Sequence, residues 1–314
     1  MNNEELKTKQ IVVISTKGGA GKTTVSSALA IHFHNKGYKI IALDADVDAP
    51  NLGIVLNCDG KEKKVLRASE KAVIDYDTCD LCGLCVENCP ENALSIENDE
   101  LFLNYYLCEG CGICEYVCPV DAISVDETDS GELIVGESKY GFKCLTGRLN
   151  IGEGSSGKVV AEARNTAKSI LKEEKIDLVI IDGPPGSSCS TMASVTGTDF
   201  AVLVTEPTPA ALSDLERAIF IVQHFKIPYG VVINKYNLIP EFEEQVLKLL
   251  NKKQGIILGQ LPYDENVPVA IANLQPINIY APNSETSKQI EKIGKKISQI
   301  LFNSVDKNSF SSER

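Results

Sequence analysis

No apolar run in the 314 residues approaches the ~20 that a membrane-spanning helix needs. The opening MNNEELKTKQ carries no secretory pattern. These two absences set the expectation of a cytoplasmic protein without membrane association. Positive charge is scarce as well: the formal net charge is −12, which argues against nucleic acid as a partner. The deficit is local. From Glu70 to Ser130, fifteen Asp and Glu face Lys71 alone, a net of −14, so the remainder of the chain is near +2. An acidic module of this kind suits a basic protein partner, although it also simply keeps itself soluble.

Hydrophobic content of 43% and charged content of 24% are ordinary for a globular protein, and the length suggests two domains. Ile11 to Thr24 reads IVVISTKGGAGKTT. Four apolar β-formers make a buried strand, Gly18, Gly19 and Gly21 make a tight turn around Ala20, and Lys22, Thr23 and Thr24 open a helix. Strand, glycine loop and helix N-terminus together form a phosphate cradle. Backbone N–H groups and the helix dipole face the anion, Lys22 reaches the β/γ-phosphates, and the Thr23 hydroxyl ligates Mg²⁺. The expected ligand is ATP with Mg²⁺. Thr16 stands where the general pattern has Gly, and an extra lysine, Lys17, precedes the glycine pair.

Downstream, continuous apolar strands at 39–43, 177–181, 201–204, 230–233 and 255–259 alternate with helices at 156–173, 211–225 and about 285–303. That alternation indicates a parallel sheet covered on both faces. The terminal helix carries Ile290, Ile293, Ile297, Ile300 and Leu301 on one side, which suits packing on its own domain, with a polar tail, Asn303–Arg314, behind it. Asp59–Lys64 reads as a polar connection, and Gly131–Gly141 as a short hairpin.

Eleven cysteines in such a chain point to metal or redox chemistry over disulfides. Eight lie in an internal repeat: YDTCDLCGLCVENCPENALSI (Tyr76–Ile96) matches YYLCEGCGICEYVCPVDAISV (Tyr105–Val125) at an offset of 29 residues. Each copy is C-x2-C-x2-C-x3-C-P. Three closely spaced thiolates grip three irons of one cubane, and in bacterial ferredoxins the fourth cysteine of a run ligates the other cluster. One [4Fe-4S] cluster is therefore expected on Cys79, Cys82, Cys85 and Cys118, and a second on Cys108, Cys111, Cys114 and Cys89. Zinc sites more usually show two C-x2-C units separated by a longer loop.

The K-G-G-x-G-K-T form at Lys17–Thr23 resembles the deviant phosphate loop of the MinD and nitrogenase iron-protein superfamily. The resemblance implies that Lys17 crosses a dimer interface to the partner's nucleotide, in a homodimer or a paralogous heterodimer. It implies Asp182 as the acid that holds Mg²⁺ through water, and Gly186 in D-x-P-P-G as the second-switch N–H that senses the γ-phosphate. Asp46, among Asp44, Asp46 and Asp48, would position the attacking water. Asn234 and the loop at Pro262 would contact the base. Cys189, seven residues after Asp182, sits at the offset of an iron-protein cysteine that shares a cluster between subunits. Cys144 would be its companion, with ordinary thiols as the default.

The expected fold is α/β: a P-loop ATPase domain, 1–58 and 131–314, with a mainly parallel sheet covered by helices on both faces. A small α+β bacterial-type ferredoxin domain, 59–130, would be inserted into it. The expected function is an ATP-hydrolysing dimer that gates electron transfer through two [4Fe-4S] clusters to a redox partner. The alternative is an Mrp-type iron–sulfur cluster carrier or assembly ATPase, and a MinD- or ParA-type positioning ATPase ranks third.

Overall fold

A computed structural model describes residues 8–302 except Ser155, Pro209 and Pro240, so the tail Asn303–Arg314 lies outside the described residues. In chain order the elements are β1 (Lys9–Ser15), α1 (Lys22–Asn35), β2 (Ile40–Asp44), α2 (Leu52–Val55), β3 (Glu62–Ile74), α3 (Leu84–Asn88), β4 (Leu94–Glu97) and β5 (Glu100–Leu103). There follow α4 (Ile113–Val117), β6 (Ile123–Glu137), β7 (Lys143–Leu149), α5 (Ser156–Glu173), β8 (Leu178–Pro185), α6 (Cys189–Val195), β9 (Phe200–Thr205) and α7 (Ala211–His224). The chain ends with β10 (Tyr229–Asn234), α8 (Phe242–Lys253), β11 (Ile256–Leu261), α9 (Asn266–Ala272), α10 (Ile277–Tyr280) and α11 (Glu285–Phe302).

One nine-stranded sheet runs β11-β10-β9-β1-β8-β2-β7-β6-β3. The strands from β11 to β7 are parallel, and β6 and β3 close that edge antiparallel. β1, β2 and β9 are apolar on both faces because helices cover both. One core packs α5, α7 and α8 on the face of Val12, Ile14, Leu43 and Ile181; the other packs α1, α9, α10 and α11 on the face of Ile11, Val13, Ala42 and Ile180. Ile290, Ile293, Ile297 and Leu301 of α11 are buried in this second core. Among the described residues no helix is long and apolar enough to cross a membrane.

The polar stretch at 59–64 does not remain a connection: from Glu62 it is strand, continuous to Ile74 and paired with β6 from Val135 to Ile123. The hairpin read at 131–141 is one end of a longer one, in which Gly131–Glu137 pair with Leu149–Lys143 across a turn at 138–142. Because β7 runs parallel to β2, its end at Leu149 lies at the sheet edge that carries the phosphate loop. The outer half of the β3–β6 ribbon therefore projects beyond that edge and carries the cysteine segment with it. This segment has a small core of its own, formed by Ala72, Ala93, Leu94, Leu101 and Ile123 with Cys85, Cys108 and Cys114.

Candidate functional site

Two sites share one edge of the sheet. The first is a cleft of about 850 Å³ lined by Gly18, Gly19, Gly21, Lys22, Thr23 and Thr24, with Asp46, Asn234 and Tyr263 opposite. Gly21 caps α1 at φ 96, a left-handed conformation that suits glycine, and an added Cβ there would meet the Asn234 amide at 2.2 Å. Asn234 Nδ2 donates to the Ala20 carbonyl at 2.9 Å, so the end of β10 clamps the loop directly. Pro262 follows β11, but the residue lining the cleft there is Tyr263.

Lys22 Nζ lies 3.0 Å from Asp46 Oδ2 and 3.5 Å from Asp182 Oδ1. Burial alone would lower the Lys22 pKa, but the charges of Asp182, Asp46 and Asp44 reverse this and raise it. Thr23 Oγ1 donates to Asp182 Oδ2 at 2.6 Å. Asp182 is fully buried and its Oδ1 makes no hydrogen bond. In the sheet register Asp182 stands beside Asp44, also fully buried. Burial, then the Asp182 charge, push the Asp44 carboxyl well up; burial raises Asp182 too, against Lys22 and Thr23. A buried carboxylate pair with an unbonded oxygen and a threonine hydroxyl is a donor set that a divalent cation would satisfy, so these residues fit Mg²⁺. Asp44 is also a structural acceptor: its oxygens take Leu52 N (2.7 Å) and Asp46 N (3.1 Å), shaping the loop after β2.

Lys17 and Gly186 are engaged within the chain. Lys17 Nζ pairs with Glu206 Oε1 at 2.6 Å, and Glu206 Oε2 takes Lys235 Nζ at 2.6 Å. Gly186, at φ 78, donates its N–H to Ser15 O at 3.0 Å. Glu206, the strand-end acid after β9, was missed in the sequence because no motif distinguishes it from a solvated turn residue.

The second site lies in the cysteine segment. Cys79, Cys82, Cys85 and Cys118 line one small cavity, and Cys89, Cys108, Cys111 and Cys114 line another. α3 and α4 each start from a glycine in the left-handed region, Gly83 and Gly112, and present the third cysteine inward. Backbone N–H groups reach the sulfurs of Cys89 (Ala93, 3.3 Å), Cys118 (Ala122, 3.2 Å) and Cys108 (Ala72, 3.5 Å). Among the described residues no group of three or more His, Cys, Asp or Glu is gathered to hold a single metal ion. A cubane instead needs four thiols spread around a volume, so each quartet around its cavity fits one. Burial pushes the Cys85 and Cys114 thiols up, whereas Cys82 and Cys111 are exposed.

The Cys144–Cys189 pairing is not formed. Cys144 is buried in the α1/α11 core and disulfide-bonded to Cys58, while Cys189 is exposed at the start of α6, on the opposite face of the sheet against Gly157. The alternation of strand β7 sends Cys144 into the core, so a third cluster on that pair is ruled out by placement.

Comparison with known proteins agrees with the nucleotide-binding fold. Residues 11–277 match the CbiA family, the CobQ/CobB/MinD/ParA nucleotide binding domain. An uncharacterized protein of Methanocaldococcus jannaschii is 35% identical over 296 residues, 93% of this chain and 97% of that protein. The iron-sulfur cluster carrier protein of Aquifex aeolicus is 25% identical over 313 residues, covering 94% of this chain and 69% of its own. Among solved structures, the septum site-determining protein MinD of Pyrococcus horikoshii, complexed with Mg-ADP, superposes with a TM-score of 0.58 at 19% identity, covering 94% and 98% of the two chains.

Proposed function

The chain belongs to the CobQ/CobB/MinD/ParA nucleotide-binding family, and from that premise we propose that it is an ATPase that holds iron–sulfur clusters and passes them on, in cluster assembly or delivery. The observation that carries the reading is the composition of the two cavities: each takes three cysteines from one run and the last from the other, beside a nucleotide cleft. The division into an ATPase domain, 1–58 and 131–314, and a ferredoxin-type insert, 59–130, is part of this proposal. The similarity to a protein named as an iron–sulfur cluster carrier favours delivery over electron gating. So does exposure: Cys82 and Cys111 place one thiol of each quartet at the surface, where an acceptor's thiolate can compete for iron.

In the cleft, the loop N–H groups and Lys22 bind the phosphates, Thr23 and Asp182 hold Mg²⁺, and Asp46 orients water for attack. Mg²⁺ neutralises charge on the phosphates when bound. In a dimer, homomeric or paralogous, Lys17 is released from Glu206 and adds positive charge at the partner's γ-phosphate. In the insert, the two quartets hold two [4Fe-4S] clusters; iron binding displaces the thiol protons.

A second reading, electron gating to a redox partner, is supported by the three buried thiols Cys85, Cys108 and Cys114, which tether clusters for retention. One anaerobic experiment separates the two. Reconstituted protein is mixed with an apo-ferredoxin acceptor, with and without Mg·ATP, and iron is followed in both proteins. ATP-dependent movement of iron to the acceptor is expected. Full retention of iron through turnover, with cluster potentials that shift between ADP and an ATP analogue, would replace delivery by gating.

A further inference from the structure

The two cysteine quartets are sequence repeats, but their surroundings differ. Position 81 of the first run and position 110 of the second are equivalent, and both have positive φ, 59 and 65. The first is Leu81, partly exposed at the lining of its cysteine cavity; the second is Gly110, where an added Cβ would strike the Glu70 carbonyl. The second run is thus pressed onto β3 and admits only glycine, whereas the first can carry a leucine in a strained conformation.

Beneath that contact lies a buried charge pair that the nucleotide and cluster sites do not use. Lys71 is 4% exposed and donates to the carbonyls of Cys108 (2.6 Å) and Tyr105 (3.2 Å), with its ammonium over the Tyr105 ring. Glu153 lies 4.0 Å from Lys71 Nζ and accepts from Tyr105 OH at 2.8 Å and from Ser69 Oγ. Glu153 belongs to the link between β7 and α5. That link follows Leu149, whose N–H donates to Val47 O at 2.9 Å, and Val47 follows Asp46, the partner of Lys22. Asn150 N donates to Ser130 O at 2.9 Å, which fixes the same link to β6. Past Glu153, Gly154 lies against Glu109. A continuous set of contacts therefore runs from the phosphate-loop lysine to the Cys108 carbonyl. Hydrogen bonds of the Cys79–Cys82 loop, among the described residues, stay within the insert.

We infer that Glu153 and Lys71 are positioning residues that couple the first-switch segment to the Cys108–Cys111 loop, so that the Cys89/Cys108/Cys111/Cys114 cavity responds to nucleotide and the other does not. Buried ion pairs seldom add net stability over an apolar replacement, so such a pair at this junction fits a role in holding geometry. The coupling needs a physical chain with two arrangements, and the first-switch loop supplies the element that changes. The inference rests on the reading of the cleft as a nucleotide site.

The test is hydrogen exchange on the full chain, purified anaerobically, without nucleotide, with Mg·ADP and with a non-hydrolysable Mg·ATP analogue. Peptides covering 16–24, 75–83 and 104–112 are followed in the wild type, Tyr105→Phe and Glu153→Gln. Tyr105→Phe removes one hydroxyl and keeps the ring under Lys71, so it guards against a variant that merely misfolds. The wild type should show a several-fold change in exchange between nucleotides at 104–112 and none at 75–83. Both variants should lose the change at 104–112 while 16–24 still responds. Equal responses in the two cysteine peptides, or a response retained in both variants, would overturn the inference and leave the nucleotide site standing. Exchange at 16–24 that is the same with Mg·ADP, with the analogue and without nucleotide would remove the nucleotide site and the inference with it.

Discussion

Lys17 Nζ and Glu206 Oε1 are 2.6 Å apart, and the same carboxylate holds Lys235 through its other oxygen. Burial alone would raise the Glu206 pKa, but Lys17 and Lys235 outweigh it and hold the carboxyl below its usual range. The lysine that the family resemblance assigns to a partner's nucleotide is thus bound inside its own chain. In the proposed dimer, Lys17 reaches the partner's nucleotide only by leaving this pair.

Two variants therefore move in opposite directions. Lys17→Ala should bind ATP and hydrolyse it on the order of 10³-fold more slowly, because a trans charge on the γ-phosphate is lost. Glu206→Gln should dimerise with Mg·ATP analogue at several-fold lower protein concentration, since the pair no longer competes. Sedimentation and phosphate-release assays read both. Unchanged turnover in Lys17→Ala would remove the trans role, and weaker dimerisation in Glu206→Gln would show that the pair supports the interface.

Asp182 makes a different prediction. Its Oδ1 is buried without a hydrogen bond, and its neighbour Asp44 repels it. Asp182→Asn should lose on the order of 10–100-fold in Mg²⁺-dependent nucleotide affinity, the scale for orienting groups around a metal. The nucleotide-free protein should change little in stability, because the like-charge contact with Asp44 and the Lys22 contact at 3.5 Å are lost together while Lys22 keeps Asp46. Calorimetric titration with and without Mg²⁺, beside thermal unfolding, checks the two halves separately.

Much of this arrangement was readable before the structure. The phosphate loop, the 29-residue repeat and the apolar strands are local patterns, and local patterns survive folding. Four features were hidden for a common reason. β3 and β6 are polar on their outer faces, so Glu62–Lys64 looked like a linker; only pairing with β6 makes them strand. Glu153 meets Ser69 and Tyr105 across 84 and 48 residues, and Cys58 meets Cys144 across 86. Glu206 meets Lys17 the same way, from the far end of β9. Contacts of this range carry no spacing signal in one sequence.

The α1–α11 junction gives a pH dependence remote from either site. His32 is buried against Gly294, and burial, then Lys36, lowers its pKa below the ordinary value of 6.5. A depressed folded-state pKa means the unfolded chain takes the proton first. The contribution is complete above about pH 6.5 and is lost as pH falls through the folded-state value, by at most about 1.4 kcal/mol per pH unit. Denaturant midpoints at pH 7.5 and 5.5 should fall further apart in the wild type than in His32→Gln. The difference between the two proteins cancels the background from other titrating groups. Equal pH sensitivity would show that His32 carries no such linkage.

The crossed quartets make the most specific prediction about metal. Cys118 belongs by sequence to the second run but lines the cavity of Cys79, Cys82 and Cys85; Cys89 is exchanged in the opposite sense. Two cubanes imply about eight irons and eight acid-labile sulfides per chain after anaerobic reconstitution. Cys118→Ser should damage the cluster of the first run and spare that of the second, and Cys89→Ser should do the reverse. Gly110→Ala supplies an independent mark for the second cavity, because its Cβ would strike the Glu70 carbonyl beside the Cys108 loop. Cys118→Ser and Gly110→Ala should therefore remove different components of the reduced spectrum. Leu81→Gly, which relieves a positive φ at the equivalent position of the first run, should remove neither. If Cys118→Ser and Gly110→Ala instead abolish the same spectral component, each run holds its own cluster and the crossing is wrong.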